Sequence, residues 1–206
     1  MEIDKPNISI VRTQVIKPNY LRLVIDELDI TPQDGSGSKI IVRDYLRSRE
    51  AVAVLIVCHN EDKVLLVRQY RHPVFVSTQN LDRAYIYEAV AGVIDDNESS
   101  QEAAIREIKE EVGFDFHPKI KRGRDGIRDI FYKQSIFTSP GISMERIHLF
   151  IATMDATEQP TASGLEQEGE KIYSEWLDNS TLKSMVYSGK IEDAKTLILL
   201  NHAGFI

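Results

Sequence analysis

The chain has 206 residues, of which 42% are hydrophobic and 28% charged, and its formal net charge is −7. This is the composition of an ordinary globular protein, and the negative balance disfavours a nucleic-acid partner, which selects a basic face. The longest apolar run, residues 51–58, is too short to span a bilayer, and the first residues lack the pattern of a secretory signal. With only one cysteine, Cys58, we expect a cytoplasmic protein without a membrane or nucleic-acid partner.

Alternating apolar and polar residues predict three strands in the first fifty positions. These strands are NISIVRTQVI, YLRLVIDELDI and KIIVRDYL, and the intervening TPQDGSGS predicts a hairpin loop between the last two. We therefore expect residues 1–48 to form a small N-terminal antiparallel sheet region, followed by a main domain of residues 49–206.

The main domain is predicted to begin with two strands, AVAVLIVC and KVLLVRQY, joined by the polar turn HNED. The first is apolar at every position, as in a central strand that is covered on both faces. RAYIYEAVAG at residues 83–92 predicts a further strand, and QSIFTS, RIHLFIATM and KIYSEWLD predict later ones. The C-terminal segment predicts helices ending near Gly189 and Gly204. This order predicts an α/β protein with helices packed on a mixed sheet.

Residues 99–113 predict an amphipathic helix in the middle of the chain. Ser99 and Glu102 have the spacing of a capping box at its start, and Gly113 can take the left-handed conformation that ends a helix. Apolar residues recur at every fourth position and predict a buried stripe. They are Ala104, Ile108 and Val112.

The same helix places Glu107, Glu110 and Glu111 within one turn on one face. Facing like charges cost a few tenths of a kcal/mol per pair, roughly. One interpretation is a solvated charged face, softened by Arg106 and Lys109. The other is a metal site, because clustered carboxylate oxygens on a rigid helix attract Mg²⁺ or Mn²⁺.

The spacing around these glutamates resembles the Nudix box, Gly-x5-Glu-x7-Arg-Glu-U-x-Glu-Glu-x-Gly-U, where U is a bulky apolar residue. The segment runs from Gly92 through Glu98 and Arg106 to Gly113 and Phe114, and every specified position is matched in type. A chance match at this many fixed positions is improbable. The resemblance implies the Nudix fold, an α/β/α sandwich with a mixed sheet, and a hydrolase of pyrophosphate bonds.

The resemblance also assigns roles within the box. It implies metal binding by Glu107 and Glu111, often joined by Glu110 and by the backbone carbonyl of Ala91, and Mg²⁺ as the cofactor with Mn²⁺ as a substitute. Glu111 is also counted among the catalytic residues. Four box residues are expected to be mainly structural. They are Gly92, Glu98, Arg106 and Gly113.

Beyond the box, the chain is similar to the ADP-ribose and nucleotide-sugar pyrophosphatase branch of the family, which includes GDP-mannose-cleaving members. KVLLVRQYRHP, YEAVAG and TSPGISMERIHLFIA carry this likeness, although Val90 replaces the usual proline of the branch. By the same likeness we expect four residues to contact substrate. They are Arg71, Arg68, Glu88 and Glu145.

SGLEQEGEKIY, residues 163–173, is similar to the acidic loop of the ADP-ribose enzymes, which supplies a proposed general base. The resemblance makes Glu168 the first candidate for that role and Glu170 the second. A solvated Gly- and Glu-rich loop without a catalytic role is the alternative. Closure of such a loop on bound substrate would exclude water from the site.

The chain is thus expected to hydrolyse nucleoside diphosphate sugars to a nucleoside monophosphate and a sugar phosphate, with ADP-ribose as the leading substrate. GDP-mannose or another nucleotide sugar is the alternative substrate, and a Nudix-fold sensor that binds without cleaving is the alternative function. Branch members generally form homodimers by exchanging N-terminal strands, so the same is expected here. The basic stretch KIKRGRDGIRD, residues 119–129, is either a solvated hairpin tip or a flap that reaches substrate phosphate or the partner subunit.

Overall fold

The computed structural model describes residues 5–16, 21–118, 126–155, 157–161 and 171–206. The strands in these ranges are β1 (Asn7–Val15), β2 (Arg22–Thr31), β3 (Lys39–Arg47), β4 (Ala51–Cys58), β5 (Lys63–Tyr70), β6 (Tyr85–Glu88), β7 (Val90–Val93), β8 (Asp129–Phe137), β9 (Arg146–Met154) and β10 (Tyr173–Asp178). The helices are α1 (His72–Thr78), α2 (Leu81–Ala84), α3 (Ser100–Val112), α4 (Asn179–Tyr187) and α5 (Ala194–His202). Within these ranges no helix is both long and apolar enough to cross a membrane.

The chain divides into two compact units. One unit contains the described part of residues 1–49 together with Phe137–Arg146. Its core element is the antiparallel sheet β1-β2-β3, in which Ile30 pairs with Lys39 across the predicted hairpin. The backbone of Leu46 exchanges hydrogen bonds with Ile142 and Met144, which fixes the loop of residues 138–145 to the end of β3.

The other unit, residues 50–136 and 147–206, is called the main unit and is built on a seven-stranded mixed sheet, the main sheet. Five of its strands follow the order β10-β5-β4-β9-β8, and the short strands β6 and β7 pair with β5 and β4. β4 runs parallel to β9 and antiparallel to β5, and β10 is antiparallel to β5. The predicted mixed sheet is therefore confirmed.

The position of β4 between helices on both faces of the sheet explains why its sequence is apolar throughout. Val52, Val54 and Ile56 point into the core under α3, whereas the alternate residues Ala53, Leu55 and Val57 point into the core under α4 and α5. Since side chains alternate across a strand, a strand covered by helices on both faces has no polar side to present. The arrangement is the predicted α/β/α sandwich.

The single strand predicted at residues 83–92 is wrong in one respect. β4 and β5 pair with each other only at Ile56–Cys58 and Lys63–Leu65, and beyond these residues they separate. β6 then pairs with β5, and β7 with β4, so the chain steps from one strand to the other at Ala89. Period-two alternation cannot reveal such a step, because both segments remain extended.

Candidate active site

The sequence of α3 forms the predicted helix in detail. The Ser99 hydroxyl accepts from the Glu102 N–H and the Glu102 carboxylate accepts from the Ser99 N–H, which completes the capping box. Gly113 ends the helix at φ 79°, and the predicted apolar stripe is buried. Glu107 and Glu111 are buried next to this stripe, where Glu107 faces Gly92 and Glu111 faces Ala91 of β7.

Arg106 gathers the acidic groups at the start of this site. Its guanidinium donates to both oxygens of Glu98, at 3.0 and 2.9 Å, and to the Val93 carbonyl at 2.9 Å. It also donates to Glu107 at 2.7 Å and to Glu110 at 3.0 Å. The hydrogen bonds to Glu98 are the main reason why the pKa of Arg106 lies above its ordinary value, so this side chain is a permanent cation. Its contacts support the predicted structural role of Glu98 and Arg106, which stays a prediction.

The Glu107 carboxylate lies directly against the backbone of Gly92. A Cβ at position 92 would overlap the carboxylate oxygens of Glu107, so any other residue there would require this carboxylate to move. Glu107 is 8% exposed, and its burial raises the pKa of the carboxyl although the Arg106 hydrogen bond opposes the rise. The glycine of the box therefore serves the placement of a carboxylate rather than a turn.

Glu111 is the least compensated acid of the group. It is 6% exposed, and its buried Oε2 atom has no hydrogen-bond partner among the described residues. Burial and the nearby Glu107 carboxylate raise the pKa of Glu111 well above its ordinary value, and a backbone hydrogen bond from Ala91 lowers it only in part. A buried carboxylate without full compensation is costly to a fold unless a cation completes it.

These features decide how the residues fit a metal ion. Among the described residues no three acidic, histidine or cysteine side chains already surround one point as a metal centre. The reason is that Arg106 draws Glu107 and Glu110 toward its own guanidinium. The unpartnered oxygen of Glu111, with Glu107 and the Ala91 backbone next to it, nevertheless provides hard oxygen donors of the kind that Mg²⁺ prefers.

A second buried acid, Glu88 at the end of β6, is fully compensated. One of its oxygens accepts from Arg71 at 2.7 Å and the other from Lys195 at 2.5 Å, and Lys195 also contacts Asp193 at 2.9 Å. Burial lowers the pKa of Lys195, but the attraction of Glu88 and Asp193 outweighs this effect and the pKa is raised. The charges of Glu88 and Arg71 both act on Glu111, so the structure brings this cluster next to the box acids.

Sequence reasoning missed Lys195. It lies in the first turn of α5, where the helix dipole disfavours a cation, and that position was the available signal that a carboxylate must lie nearby. The first turn of α5 also binds the backbone at Ala89, where the chain passes from β6 to β7. Asp193 accepts from the Thr196 hydroxyl, and that hydroxyl accepts from the Ala89 N–H at 2.7 Å.

The structure gives the two other expected substrate ligands contacts of their own. Arg68 points to the opposite face of the sheet from Glu88 and donates to the carbonyls of Tyr85 and Asp82. Glu145 belongs to the unit that contains β1-β3 and accepts from the Thr138 hydroxyl at 2.7 Å. Their roles toward substrate stay predictions.

The candidate bases Glu168 and Glu170 lie outside the described residues. Described residues before and after them, Thr161 and Ile172, have defined contacts. Thr161 donates its N–H to the carbonyl of Val112, the residue that follows Glu111 in α3, at 3.0 Å. Ile172 is buried in the core under α3. Thr161 and Ile172 therefore both lie on the α3 side of the sheet.

Most of the basic stretch also lies outside the described residues, namely Lys119, Lys121, Arg122 and Arg124. Arg128 is described, and it pairs with Asp129 at 2.7 Å and with Asp155 at 2.6 Å. Both interpretations of the stretch remain open.

Comparison with known proteins identifies relatives over most of the chain. The profile described as NUDIX domain matches residues 47–198, which is more than half of the chain. A GDP-mannose pyrophosphatase of Cronobacter sakazakii is 34% identical over 198 residues, covering 95% of this chain and 94% of its own. An ADP-ribose pyrophosphatase of Haemophilus influenzae is 27% identical over 164 residues, covering 80% of this chain and 70% of its own. A solved structure described as an ADP compounds hydrolase superposes with a TM-score of 0.68 at 21% identity, over 100% of both chains, and shares the fold.

Proposed function

This chain belongs to the Nudix family, and from that membership we propose that it hydrolyses the pyrophosphate bond of nucleoside diphosphate sugars. The products are a nucleoside monophosphate and a sugar phosphate. The family generally uses divalent metal ions, and Mg²⁺ is proposed for this chain, with Mn²⁺ as a substitute.

The observation that carries the proposal is the unpartnered, buried Oε2 of Glu111 beside the buried carboxylate of Glu107. Glu107 and Glu111 would hold the metal, with Glu110 and the Ala91 carbonyl as further donors. When bound, the ion neutralises phosphate charge and lowers the pKa of water. Gly92 keeps the Glu107 carboxylate against the β7 backbone, and Arg106 holds Glu98 and the loop start in place.

Other residues of the chain would act on the substrate itself. Arg71 reaches the site from the end of β5, and its guanidinium is about one-third exposed, so it is able to bind a substrate phosphate while Glu88 holds it. Phosphoryl transfer then requires a water in line with the attacked phosphorus. Glu168, or second Glu170, is proposed to remove the proton from that water. The likeness of residues 163–173 to the acidic loop of the ADP-ribose enzymes supports this assignment.

The base and sugar preference has two candidates. ADP-ribose is the leading substrate from the sequence of residues 163–173. GDP-mannose is the second candidate, because the relative named for it matches 95% of this chain at 34% identity. Both share the diphosphate that the proposed site would bind, so the reaction class does not depend on the choice.

Incubation of the protein with Mg²⁺ and ADP-ribose, GDP-mannose, UDP-glucose or NADH, followed by chromatography of the products, tests the proposal. We expect a nucleoside monophosphate and a sugar phosphate from at least one of the first two, and no turnover in EDTA. Saturable binding without products would instead identify a nucleotide-sugar sensor.

We propose that residues 1–48 form the contact of a homodimer. We also propose that the protein is cytoplasmic. Ile8 and Ile10 of the edge strand β1 are 60% and 63% exposed, and exposed apolar side chains on an edge strand favour contact with another chain. Ile10→Lys should shift sedimentation toward the monomer, whereas Ser9→Lys, which adds the same charge at the intervening position, should shift it less. A wild-type protein that sediments as a monomer at all concentrations would refute the dimer but leave the hydrolase proposal intact.

A further inference from the structure

A cleft opens on the face of the main sheet that carries α4 and α5, away from the box acids. We call it the tyrosine cleft, and its lining includes Arg68, Asp82, Tyr85, Tyr87, Tyr173 and Glu175. Its volume is about 520 Å³, within the range of small-molecule sites. An adjoining cavity of about 240 Å³ shares four of these residues and extends to Gly189 and Lys190.

Strand register places the cleft on the opposite face from Glu88. Tyr173 of β10 pairs with Arg68 of β5, and Arg68 pairs with Tyr87 of β6. Cross-strand partners share a face of the sheet, so these three side chains form one row. Glu88, the residue after Tyr87, points to the other face, because side chains alternate along a strand. The tyrosine cleft is therefore separate from the site proposed for hydrolysis.

Two of the three cations that line the cleft and the adjoining cavity, Arg68 and Lys190, face aromatic rings, whereas Arg83 pairs with Glu192. The Arg68 guanidinium carbon lies 5.4 Å from the Tyr87 ring centroid and 5.9 Å from that of Tyr85. The Lys190 ammonium lies 5.3 Å from the Tyr87 centroid. Within the described part of the chain, neither cation has a carboxylate at ion-pair distance. Arg68 also donates to the neutral carbonyls of Tyr85 and Asp82, which do not cancel its charge, so two positive groups converge on one ring and attract an anion.

The remaining lining groups define the rest of a ligand. The rings of Tyr85 and Tyr173 stand 6.3 Å apart at 65°, and both are partly exposed, so they present surface on which a planar ring can stack. Asp82 and Glu175 provide carboxylates, and Glu175 already accepts from the Tyr87 hydroxyl at 3.2 Å. Carboxylates are suitable acceptors for sugar hydroxyls.

We infer that the tyrosine cleft is a second ligand site, which binds a nucleoside monophosphate with its base on Tyr85 and Tyr173. The phosphate lies toward Arg68 and Lys190, and the ribose hydroxyls toward the two acids. The inference rests on this lining alone and stands whether or not the proposed hydrolysis is observed.

Titration of ¹⁵N-labelled protein with AMP and with GMP in EDTA tests the inference, because each site has a reporting glycine amide. Gly189 lines the cleft, whereas Gly92 lies against Glu107. We expect the Gly189 amide to shift with a Kd below about 1 mM. Inorganic phosphate and adenosine should each bind more weakly than AMP. Shifts at Gly92 without shifts at Gly189, or phosphate binding equal to that of AMP, would overturn the inference.

Three variants locate the binding energy. Arg68→Gln should raise the AMP Kd about tenfold and Lys190→Gln about threefold, since each loses a charge-assisted contact. Lys183→Gln removes an exposed lysine of the neighbouring helix α4 outside the cleft and should leave the Kd unchanged. Lys190 is exposed, so its variant remains informative if Arg68→Gln folds poorly. An unchanged Kd in Lys190→Gln and Arg68→Gln, or an equal loss in Lys183→Gln, would reject the site. Nucleotide-sugar hydrolysis by Lys190→Gln reports independently on the box acids.

Discussion

Two buried glutamates near each other in the main unit differ in how the protein treats their charge. Glu88 is 3% exposed, and each of its oxygens has a cationic partner, Arg71 or Lys195. Glu111 is 6% exposed, and within the part of the chain that the structure describes one of its oxygens has no hydrogen-bond partner. A buried acid that the fold itself neutralises stabilises local structure, whereas one left incomplete indicates that a cation from outside belongs there. Burial alone does not distinguish the two cases, but the partners do.

The largest effect is expected from the uncompensated acid. Glu111→Gln should lower kcat at least about a hundredfold, because it removes a proposed metal ligand. The same change should leave the melting temperature in EDTA unchanged or raise it, since a costly buried charge disappears. Steady-state kinetics with Mg²⁺ and calorimetry in EDTA measure the two quantities. Near-wild-type turnover would show that Glu111 does not bind the catalytic metal.

The compensated acid should show the opposite behaviour. Lys195→Met leaves Glu88 with one cation fewer in a buried setting, and we expect the free energy of unfolding to fall by about 3 kcal/mol. The double variant Glu88→Gln with Lys195→Met should recover part of that loss, because it also removes the Glu88 charge that has lost one of its two cations. Urea unfolding curves of the wild type, Lys195→Met and the double variant give these free energies, with the exposed Lys183→Met as control. A loss for Lys195→Met no larger than that of the control would remove the contrast between the two glutamates.

An intermediate effect is expected where the backbone admits the Glu107 carboxylate. Gly92→Ala places a methyl group where that carboxylate lies, so Glu107 must move although the fold can accommodate the movement. We expect kcat to fall about tenfold, with a change in stability within about 1 kcal/mol. Gly141→Ala is the matched control, because a Cβ there meets no atom within 4 Å. Full activity in Gly92→Ala would mean that the position of Glu107 is not critical.

The smallest effect concerns an exposed acid that the fold also satisfies. Asp178 caps α4 by accepting from the Thr181 N–H, and the hydrogen bonds from Ser180 and Thr181 lower its pKa to about 2. Because the folded pKa is depressed, the stability that this carboxylate contributes is present above about pH 4 and is lost as the pH falls toward 2. The carboxyl carbon of Asp178 should titrate near that value by NMR, and Asp178→Ala should lower the melting temperature at pH 7 but progressively less in acid. A titration at the ordinary pKa would show that the cap contributes little.

How far the sequence predicted this molecule depended on the distance between interacting residues. α3 could be predicted with its cap, stripe and end because Ser99, Glu102 and Gly113 act within a few residues of one another. The two-sided burial of β4 followed from its unbroken apolar run. α1 was not predicted, although Pro73 at its start was an available signal.

The parts of the site that escaped prediction depend on tertiary contacts. Lys195 meets Glu88 across 107 residues of sequence, and no local pattern encodes that pairing. The step at Ala89 depends on where β4 and β5 separate. Likewise, the box spacing predicted which glutamates matter, but only the packed structure shows that the Glu111 oxygen is unpartnered and that Arg106 holds Glu107 and Glu110.

The hydrogen bond from Ala89 to Thr196 has a practical consequence for protein engineering. It ties the first turn of α5 to the short crossover whose next residues are Val90, Ala91 and Gly92. A fusion partner, affinity tag or truncation that strains α5 would therefore pull on the backbone that faces Glu107 and Glu111. Protein intended for enzymology is better tagged through a long, removable linker after Ile206 than through a rigid fusion at that helix.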